Sequence, residues 1–271
     1  ILASPRFQLV PCSLLEKSNI QRLFDTYPFH TVYHLAGCAG VRPSLKNPET
    51  YITNNVIATA TLLDCIKDRP IKLIAASSSS VYGNCTQTPF SENNQDLTQI
   101  SPYAMSKKAM ELLCQTYNAL YNIPVACLRF FTVYGPRQRP DMAISLFTQK
   151  IRSGQEICLF NRGENQRDYT YIDDIIQGII NIGAADFDFD IINLGNSHVI
   201  QTTELVSYIE KALSKKARLV LGPPEPGDVL TTYSNIDKAT SQYGYKPTVP
   251  IQEGISLYIS WLEKHKVIVS N

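Results

Sequence analysis

Short apolar runs alternate with helical patterns along the first half of the chain. The apolar runs predict strands, and apolar residues spaced three or four positions apart predict helices. The predicted strands are residues 7–10, 31–35, 71–76 and 125–131, and the predicted helices are residues 16–26, 49–67 and 102–121. Regular alternation of strands and helices is typical of βαβ units, in which helices cover both faces of a parallel sheet. The sequence therefore predicts an α/β fold with a doubly wound parallel sheet.

The alternation becomes less regular after residue 135. Further strands are predicted at 156–160 and 190–194, with helices ending near 152 and spanning 173–184, 202–215 and 251–266. We expect residues 1–135 to form one domain. Residues 136–271 are expected to form mainly a smaller α/β domain, with some segments returning to the first. This smaller domain would lie over the strand ends, where open α/β sheets bind ligands.

The composition excludes several classes of protein. The 271 residues include 25 Lys and Arg against 24 Asp and Glu, a net charge of +1 that provides no basic field for nucleic acid or an anionic membrane. No apolar run reaches the roughly 18 residues of a membrane span. Seven cysteines and four histidines are scattered, without a Cys-x-x-Cys pair, which argues against a disulfide framework or a metal site. We therefore expect a cytoplasmic protein with no metal, nucleic-acid or membrane partner.

Tyr103 and Lys107 lie four positions apart in a predicted helix, so both side chains are expected on one face. The ammonium of Lys107 would favour the phenolate of Tyr103, lowering its pKa from about 10 and making it usable as a base near neutral pH. An exposed helical pair without a chemical role is the alternative interpretation.

A run of four serines, residues 77–80, follows the predicted strand 71–76 and precedes Val-Tyr-Gly. Its hydroxyls are expected at the carboxyl edge of the sheet, where one could hydrogen-bond a substrate oxygen while Tyr103 takes the proton. A strand-like alternation would place Ser78 and Ser80 on the same side. A polar turn after the strand is the alternative.

Together these motifs resemble the extended short-chain dehydrogenase/reductases, in the branch of NAD-dependent nucleotide-sugar epimerases and dehydratases. The matching segments are residues 34–37, 51–56, 77–83, 103–107, 128–136, 167–173, 226–229 and 244–247. The resemblance implies a Rossmann-type sheet that binds NAD and a smaller C-terminal domain that binds the sugar nucleotide. Residues 39–44 and 130–143 are similar to UDP-glucuronate 4-epimerases, and Ser79 and Ser80 stand where dehydratases carry an Asp-Glu pair.

The resemblance implies a role for each matching position. Tyr103 would be the base that takes the C4 hydroxyl proton as hydride passes to NAD, Lys107 would bind the nicotinamide ribose, and Ser78, assisted by Ser80, would share the substrate oxygen. The implied cofactor contacts are Leu14, Leu35, Ala36, Gly37, Asn54, Tyr103, Lys107 and Phe130. The implied substrate contacts are Ser78, Thr132, Arg139, Arg167 and Asp228. Arg129 is expected to be a structural ion-pair partner.

Part of the family pattern is missing at the start of the chain. The glycine-rich loop that holds the cofactor pyrophosphate at a helix N-terminus is absent, and we expect this βα unit to lie upstream of Ile1. Ser13 stands where the family offers an Asp to the adenine, and Glu225 stands where relatives often place Arg or Gln.

The hypotheses that remain fall into two classes. The first is an active 4-epimerase that interconverts UDP-glucuronate and UDP-galacturonate, with UDP-glucose or a UDP-N-acetylhexosamine as the alternative substrate. The second is a degenerate relative that keeps the fold without catalysis. The resemblance also implies a homodimer, in which helices 49–67 and 102–121 of two copies pair into a four-helix interface.

Overall fold

The computed structural model describes residues 4–94, 97–223 and 229–265. In chain order the strands are β1 Thr31–His34, β2 Lys72–Ser78, β3 Val125–Phe130, β4 Thr132–Tyr134, β5 Glu156–Leu159, β6 Gln166–Tyr171, β7 Phe189–Leu194, β8 Val199–Gln201 and β9 Arg218–Leu221. The α-helices are α1 Lys17–Thr26, α2 Val41–Lys46, α3 Pro48–Tyr51, α4 Ala58–Ile66, α5 Pro102–Tyr121, α6 Ala143–Ser153, α7 Ile172–Ala184, α8 Thr202–Leu213, α9 Asp237–Tyr243 and α10 Ile251–Lys264.

The largest sheet contains four parallel strands in the order β1-β2-β3-β7. Successive residues of β2 point to opposite faces. Leu73 and Ala75 pack into one apolar cluster with α1, α4 and α5, whereas Ile74 packs into another with α7 and α9. Helices therefore cover both faces, which confirms the predicted doubly wound parallel sheet.

The strand register gathers polar and apolar groups at the carboxyl edge of this sheet. Ser78, the last residue of β2, pairs with Phe130 on β3, which in turn pairs with Leu194 on β7. The residues that follow these strands therefore begin side by side, at the edge where open α/β sheets bind ligands.

The C-terminal half builds a second core. Strands β4, β6 and β8 form one sheet, β5 and β9 form another, and helices α6, α8 and α10 pack around an apolar cluster that includes Ile144, Ile157, Leu205 and Ile255. Strand β7 nevertheless lies in the main sheet, so this part of the chain returns to the first core. The predicted domain boundary near residue 135 stays a prediction.

Residues 7–10 are not a strand, so that prediction was wrong. All four are exposed, Leu9 by 66%. An apolar run becomes a strand only where a neighbouring strand satisfies its backbone hydrogen bonds. In the described part of the chain, the edge strand β1 pairs with β2 alone and residues 7–10 have no such neighbour.

Two further findings concern the helices. Residues 41–46, which lie between the predicted strand 31–35 and the predicted helix 49–67, form α2. Residues 52–57, between α3 and α4, adopt a π-helix. None of the helices in the three described ranges is long and apolar enough to cross a membrane.

Candidate active site

Helix α5 carries Tyr103 and Lys107 into the protein interior. The helix begins at Pro102 because the Ser101 hydroxyl accepts a hydrogen bond from the Ala104 amide at 3.1 Å, which satisfies one of the unpaired amides of the first turn. Tyr103 and Lys107 are both buried, and the Lys107 ammonium donates to the Ala76 carbonyl at 2.7 Å. The pair is therefore not an exposed helical pair, and its ammonium reaches the end of β2.

The electrostatics of the pair differ from the sequence-based expectation. Burial raises the pKa of Tyr103, while the neighbouring Ser78 hydroxyl and the positive charge of Arg139 act in the opposite direction. The predicted lowering by Lys107 was wrong, since desolvation outweighs the favourable contacts. Burial also lowers the pKa of Lys107 to about 8, so this lysine stays protonated at neutral pH.

The serine run changes conformation after Ser78, so the alternation expected for Ser78 and Ser80 was wrong. Ser78 ends β2, and Ser79–Tyr82 forms a 3₁₀ turn. The Ser80 amide donates to the Ser78 hydroxyl at 3.1 Å, which caps that turn. Ser78 lies beside Tyr103, and the turn places Ser80 in the wall of an adjacent cavity.

The loop after β1 runs beside Lys107. A Cβ added at Gly37 would lie 2.7 Å from Asn55 Oδ1 and 3.5 Å from Lys107 Nζ, so only glycine fits there without a shift. The Asn55 side chain clamps the loop by accepting from the Cys38 amide at 2.7 Å and donating to the Cys38 carbonyl at 2.9 Å. It also donates to Ser106 on α5. Asn55 thus ties this loop to the helix that carries Tyr103.

The other predicted cofactor contacts occupy different settings. Leu35 directly follows β1 and is 55% exposed, and the next residue, Ala36, is exposed as well. Asn54 donates to the Thr50 carbonyl at 2.8 Å within its own helical segment. Leu14 packs against the apolar cluster beneath α1, and Phe130 packs partly against the cluster on the opposite face of the sheet.

A cavity of about 170 Å³ lies between the two halves of the chain, next to Ser80. Its lining residues are Val41, Arg42, Ser79, Ser80, Gly83, Phe90, Ile100, Ser101, Thr132, Arg167, Val229 and Thr232. Three of the predicted site residues, Ser80, Thr132 and Arg167, therefore meet here. Arg167 is held in place by donating from Nη1 to the Gln166 carbonyl at 2.8 Å and to the Leu230 carbonyl at 3.1 Å.

Two predicted substrate contacts lie outside this cavity wall. Arg139 is 43% exposed and forms a bidentate ion pair with Asp141, with Nε–Oδ1 and Nη2–Oδ2 distances of 3.0 and 2.9 Å. Its charge still acts on Tyr103 and Tyr51. Asp228, like Glu225, lies outside the described residues.

A buried ion pair lies directly behind the serine run. Arg129 on β3 contacts both carboxylate oxygens of Glu111 on α5 at 2.8 Å, and both side chains are about 1% exposed. Ser77 donates to the same carboxylate at 2.6 Å, and the guanidinium carbon lies 4.8 Å from the centre of the Tyr82 ring. This confirms the structural role predicted for Arg129.

Sequence reasoning missed Glu111, Asn55 and the cavity residues Arg42 and Thr232. Three of them had a signal in the sequence: Glu111 continues the helical spacing of Tyr103 and Lys107, and Asn55 and Arg42 lie in the family-like segments 51–56 and 39–44. Within the described ranges, no group of three or more His, Cys, Asp or Glu side chains could hold a metal ion.

Comparisons with known proteins give the site its context. The NAD dependent epimerase/dehydratase family matches residues 2–195 of this chain. The UDP-glucuronate 4-epimerase of Thermodesulfobacterium geofontis is 36% identical over 99% of this chain and 83% of that protein. UDP-glucuronate 4-epimerase 2 of Arabidopsis thaliana is 39% identical over 93% of this chain, which spans 63% of that longer protein.

A solved structure agrees with these sequences. UDP-glucuronic acid 4-epimerase from Bacillus cereus, in complex with UDP-glucuronic acid and NAD, aligns with a TM-score of 0.91. It is 33% identical, over 97% of this chain and 84% of that one. Because the family match spans well over half of the chain, and relatives more than 30% identical cover almost all of it, this chain belongs to the NAD dependent epimerase/dehydratase family.

Proposed function

We propose that this protein interconverts UDP-glucuronate and UDP-galacturonate by epimerisation at C4, with NAD as its cofactor. The observation that carries the proposal is the buried pair of Tyr103 and Lys107, which lies beside Ser78 at the carboxyl edge of the main sheet, with the Lys107 ammonium on the Ala76 carbonyl. This pair lies beside a cavity lined by Arg167 and Thr132. Similarity to UDP-glucuronate 4-epimerases supports the substrate class.

The groups around Lys107 suit the ribose of a nicotinamide nucleotide. No carboxylate of the described residues forms an ion pair with its ammonium, which uses one proton on the Ala76 carbonyl. Its remaining protons and the Tyr103 hydroxyl are available to ribose oxygens. Gly37 leaves open the space that a side chain would fill beside this ammonium. When bound, NAD supplies a reversible acceptor for the hydrogen and electron pair of the C4 carbon–hydrogen bond.

Tyr103 has to move one proton in each direction during the proposed reaction. It accepts the C4 hydroxyl proton as the sugar is oxidised and returns it as the ketone is reduced. The neighbouring Ser78 hydroxyl and the Arg139 charge favour the phenolate needed for the first step, whereas burial favours the phenol needed for the second. Ser78 would also bind the substrate oxygen, and Ser80 would assist from the cavity wall.

The substrate side of the site is rich in groups that bind anionic oxygens. Arg167 and Arg42 line the cavity together with Thr132, and planar guanidinium groups suit carboxylate and phosphate oxygens. We propose that Arg139 contacts the hexuronate or the diphosphate by exchanging its partner Asp141 for the substrate. Asp228, implied by the family resemblance as a substrate contact, matches a position near the uridine ribose, and we propose that role for it.

Proton NMR of the protein supplied with NAD tests this function. UDP-glucuronate, UDP-glucose and UDP-N-acetylglucosamine are followed in separate tubes, and we expect the uronate to be converted fastest by at least about 10-fold, since each 1.4 kcal/mol of binding to the carboxylate is worth that factor. Faster conversion of UDP-glucose or UDP-N-acetylglucosamine would show that a neutral UDP-sugar, and not UDP-glucuronate, is the preferred substrate. Bound NAD without conversion of any of the three would favour a non-catalytic relative.

We also propose that the protein forms a homodimer through α5 and the helical segment that leads into α4. Met105, Leu112 and Leu120 are 39%, 52% and 64% exposed and follow one stripe of α5, while Ile57, the last residue of the π-helix before α4, is 51% exposed. Apolar stripes on two adjacent helices can pair with the same stripes of a second copy about a two-fold axis. Such pairing would give the expected four-helix interface.

Replacing Leu112 by glutamate is expected to raise the dimer dissociation constant by about 10-fold or more, because burial of a leucine contributes about 1.5–3 kcal/mol. Sedimentation velocity over a concentration series measures the change. Leu257→Glu on α10 is the matched control, since Leu257 is also exposed, by 43%. Equal dissociation constants for both variants, or a monomeric wild-type protein, would contradict the proposed interface.

A further inference from the structure

A row of three polar residues crosses the main sheet one position before its carboxyl edge. Ser77 on β2 pairs with Arg129 on β3, which in turn pairs with Asn193 on β7. All three side chains are buried, and Asn193 has no exposed surface. Buried polar groups are retained where hydrogen bonds satisfy them. Ser77 and Arg129 share Glu111 as their partner, whereas Asn193 bonds to a different set of groups.

The Asn193 side chain joins three segments that are distant in the sequence. Its Nδ2 atom donates to the Phe90 carbonyl at 2.9 Å and to the Asn235 carbonyl at 3.1 Å. Its Oδ1 atom accepts from the Tyr82 hydroxyl at 2.7 Å. Since an amide has two protons to donate, both donors and the oxygen are used inside the protein.

Tyr82 connects this amide to the residues that follow Ser78. It is the last residue of the 3₁₀ turn 79–82, which we call the serine turn, and its side chain is fully buried. The Tyr82 ring lies 4.8 Å from the Arg129 guanidinium carbon and is stacked on Phe90 at a centre-to-centre distance of 4.8 Å. The ring and the hydroxyl of Tyr82 therefore fix the end of the serine turn.

The other partners of Asn193 belong to a second part of the cavity wall. The Phe90 amide donates to the Tyr233 carbonyl at 2.6 Å, and the Phe90 carbonyl accepts from the Asn235 amide at 2.9 Å. Phe90 and the segment 229–235 both contribute residues to the wall of the cavity that Ser79 and Ser80 line from the serine turn. Asn193 thus links two parts of one cavity wall.

We propose that Tyr82 and Asn193 are positioning residues, which fix the serine turn relative to segment 229–235. The inference rests on the proposed function, in which the C4 oxygen of the substrate must meet Ser78 and Tyr103. Neither Tyr82 nor Asn193 is among the residues that line the cavity, so they act through the turn. Buried polar networks whose groups are all satisfied make a region rigid, and a shift of about 1 Å in a reacting group can lower a rate about 10²-fold.

Tyr82→Phe removes the hydroxyl and keeps the ring between Arg129 and Phe90. For this variant we expect kcat with UDP-glucuronate to fall by about 10-fold, while KM changes by less than about three-fold. Loss of kcat without a matching change in KM is typical of an interaction that matters mainly in the transition state. An increase in KM with unchanged kcat would indicate a contact to bound substrate and would overturn the proposal.

Tyr258→Phe is the matched control. The Tyr258 side chain is 1% exposed, and its hydroxyl donates to Ser145 Oγ at 3.0 Å within the core of the C-terminal half. Both variants remove one buried hydroxyl that has a side-chain partner, so we expect similar decreases in the unfolding temperature. Tyr258→Phe should keep kcat within about two-fold of wild type. Equal kcat values for the two variants would show that Tyr82 is only structural.

A double-mutant cycle tests whether the two residues act through one contact. Asn193→Ala removes all three hydrogen bonds of the side chain, and we expect it to lower kcat more than Tyr82→Phe does. The variant that combines both changes should have the kcat of Asn193→Ala alone, because residues that share one contact are not additive. Losses that multiply in the combined variant would show two independent effects and overturn the proposal.

Hydrogen exchange tests the network without turnover. In Asn193→Ala we expect faster amide exchange than in wild type over residues 79–83 and 229–235, with unchanged exchange in α6. Unchanged exchange in the first two segments would overturn the proposal. A wild-type protein that converts none of the three UDP-sugars would defeat the proposed function instead, and the exchange rates would still show whether Asn193 holds the serine turn.

Discussion

Replacing Tyr103 by phenylalanine is expected to lower kcat by about 10²–10⁴-fold, because it removes the group that moves the C4 proton. The ring should keep its place. It is buried at the start of α5, and its centre lies 6.0 Å from that of Tyr51 in an edge-to-face arrangement that does not involve the hydroxyl. Activity should therefore fall while the unfolding temperature and the affinity for UDP-glucuronate change little.

Tyr51→Phe is the matched control for this variant. The Tyr51 hydroxyl donates to the Ala39 carbonyl at 3.1 Å, so its loss removes a structural hydrogen bond from the same pair of rings. We expect Tyr51→Phe to keep kcat within a few-fold of wild type. Initial rates with UDP-glucuronate measure both variants, and a Tyr103→Phe enzyme with more than a tenth of the wild-type rate would exclude Tyr103 as the proton carrier.

Replacing Glu111 by glutamine is expected to lower the free energy of unfolding by about 3–5 kcal/mol, since it leaves the guanidinium of Arg129 charged and poorly paired in the interior. Both side chains are about 1% exposed. The loss should also disturb the active site, because Ser77 donates to this carboxylate and precedes Ser78. Urea unfolding measures the stability, and initial rates measure the effect on the serine run.

The exposed pair between Glu156 and Arg218 is the control for this loss. Their side chains are 59% and 69% exposed and 3.6 Å apart, so Glu156→Gln should change the free energy of unfolding by less than about 1 kcal/mol. Similar values for Glu111→Gln and Glu156→Gln would contradict the buried ion pair.

Stability at low pH should depend on the same carboxylate. Although burial alone would raise it, the contacts with Arg129 hold the pKa of Glu111 below its ordinary value of 4.5. A carboxylate with a lowered folded-state pKa stabilises the protein above its unfolded-state pKa, and this contribution is lost as the pH falls through the folded-state value. Below about pH 4.5, the free energy of unfolding of Glu111→Gln should therefore decrease less steeply with falling pH than that of the wild type. Urea unfolding at a series of pH values measures both.

The sequence predicts this fold well where local signals and long-range packing agree. Helix α5 spans Pro102–Tyr121 as predicted, because Ser101 caps its start and Asn122 ends it in the left-handed conformation. The burial of Tyr103 and Lys107 follows from the strands on which α5 packs. Residues 7–10 show the opposite case, since their apolar pattern is strand-like and no neighbouring strand of the described chain pairs with them.

Other features depend on contacts between residues that are far apart in the sequence. From its charge, Glu111 would be placed on the surface of its helix. It is buried because Arg129 on β3 forms an ion pair with it. In the sequence, Thr232 is one of two adjacent threonines, and no pattern places it at a cavity. Its cavity exists only because α2, the serine run and β6 converge from distant parts of the sequence.

The measurement that tests the account most directly is the UDP-glucuronate conversion carried out with NAD in D2O and followed by proton NMR. Epimerisation by removal and return of the same hydrogen predicts UDP-galacturonate that retains its proton at C4 and gains no deuterium there. Tyr103 exchanges only the proton of the C4 hydroxyl, so this exchange places no deuterium on the C4 carbon. Deuterium at C4 of the product, or no product while NAD is bound, would contradict the central claim.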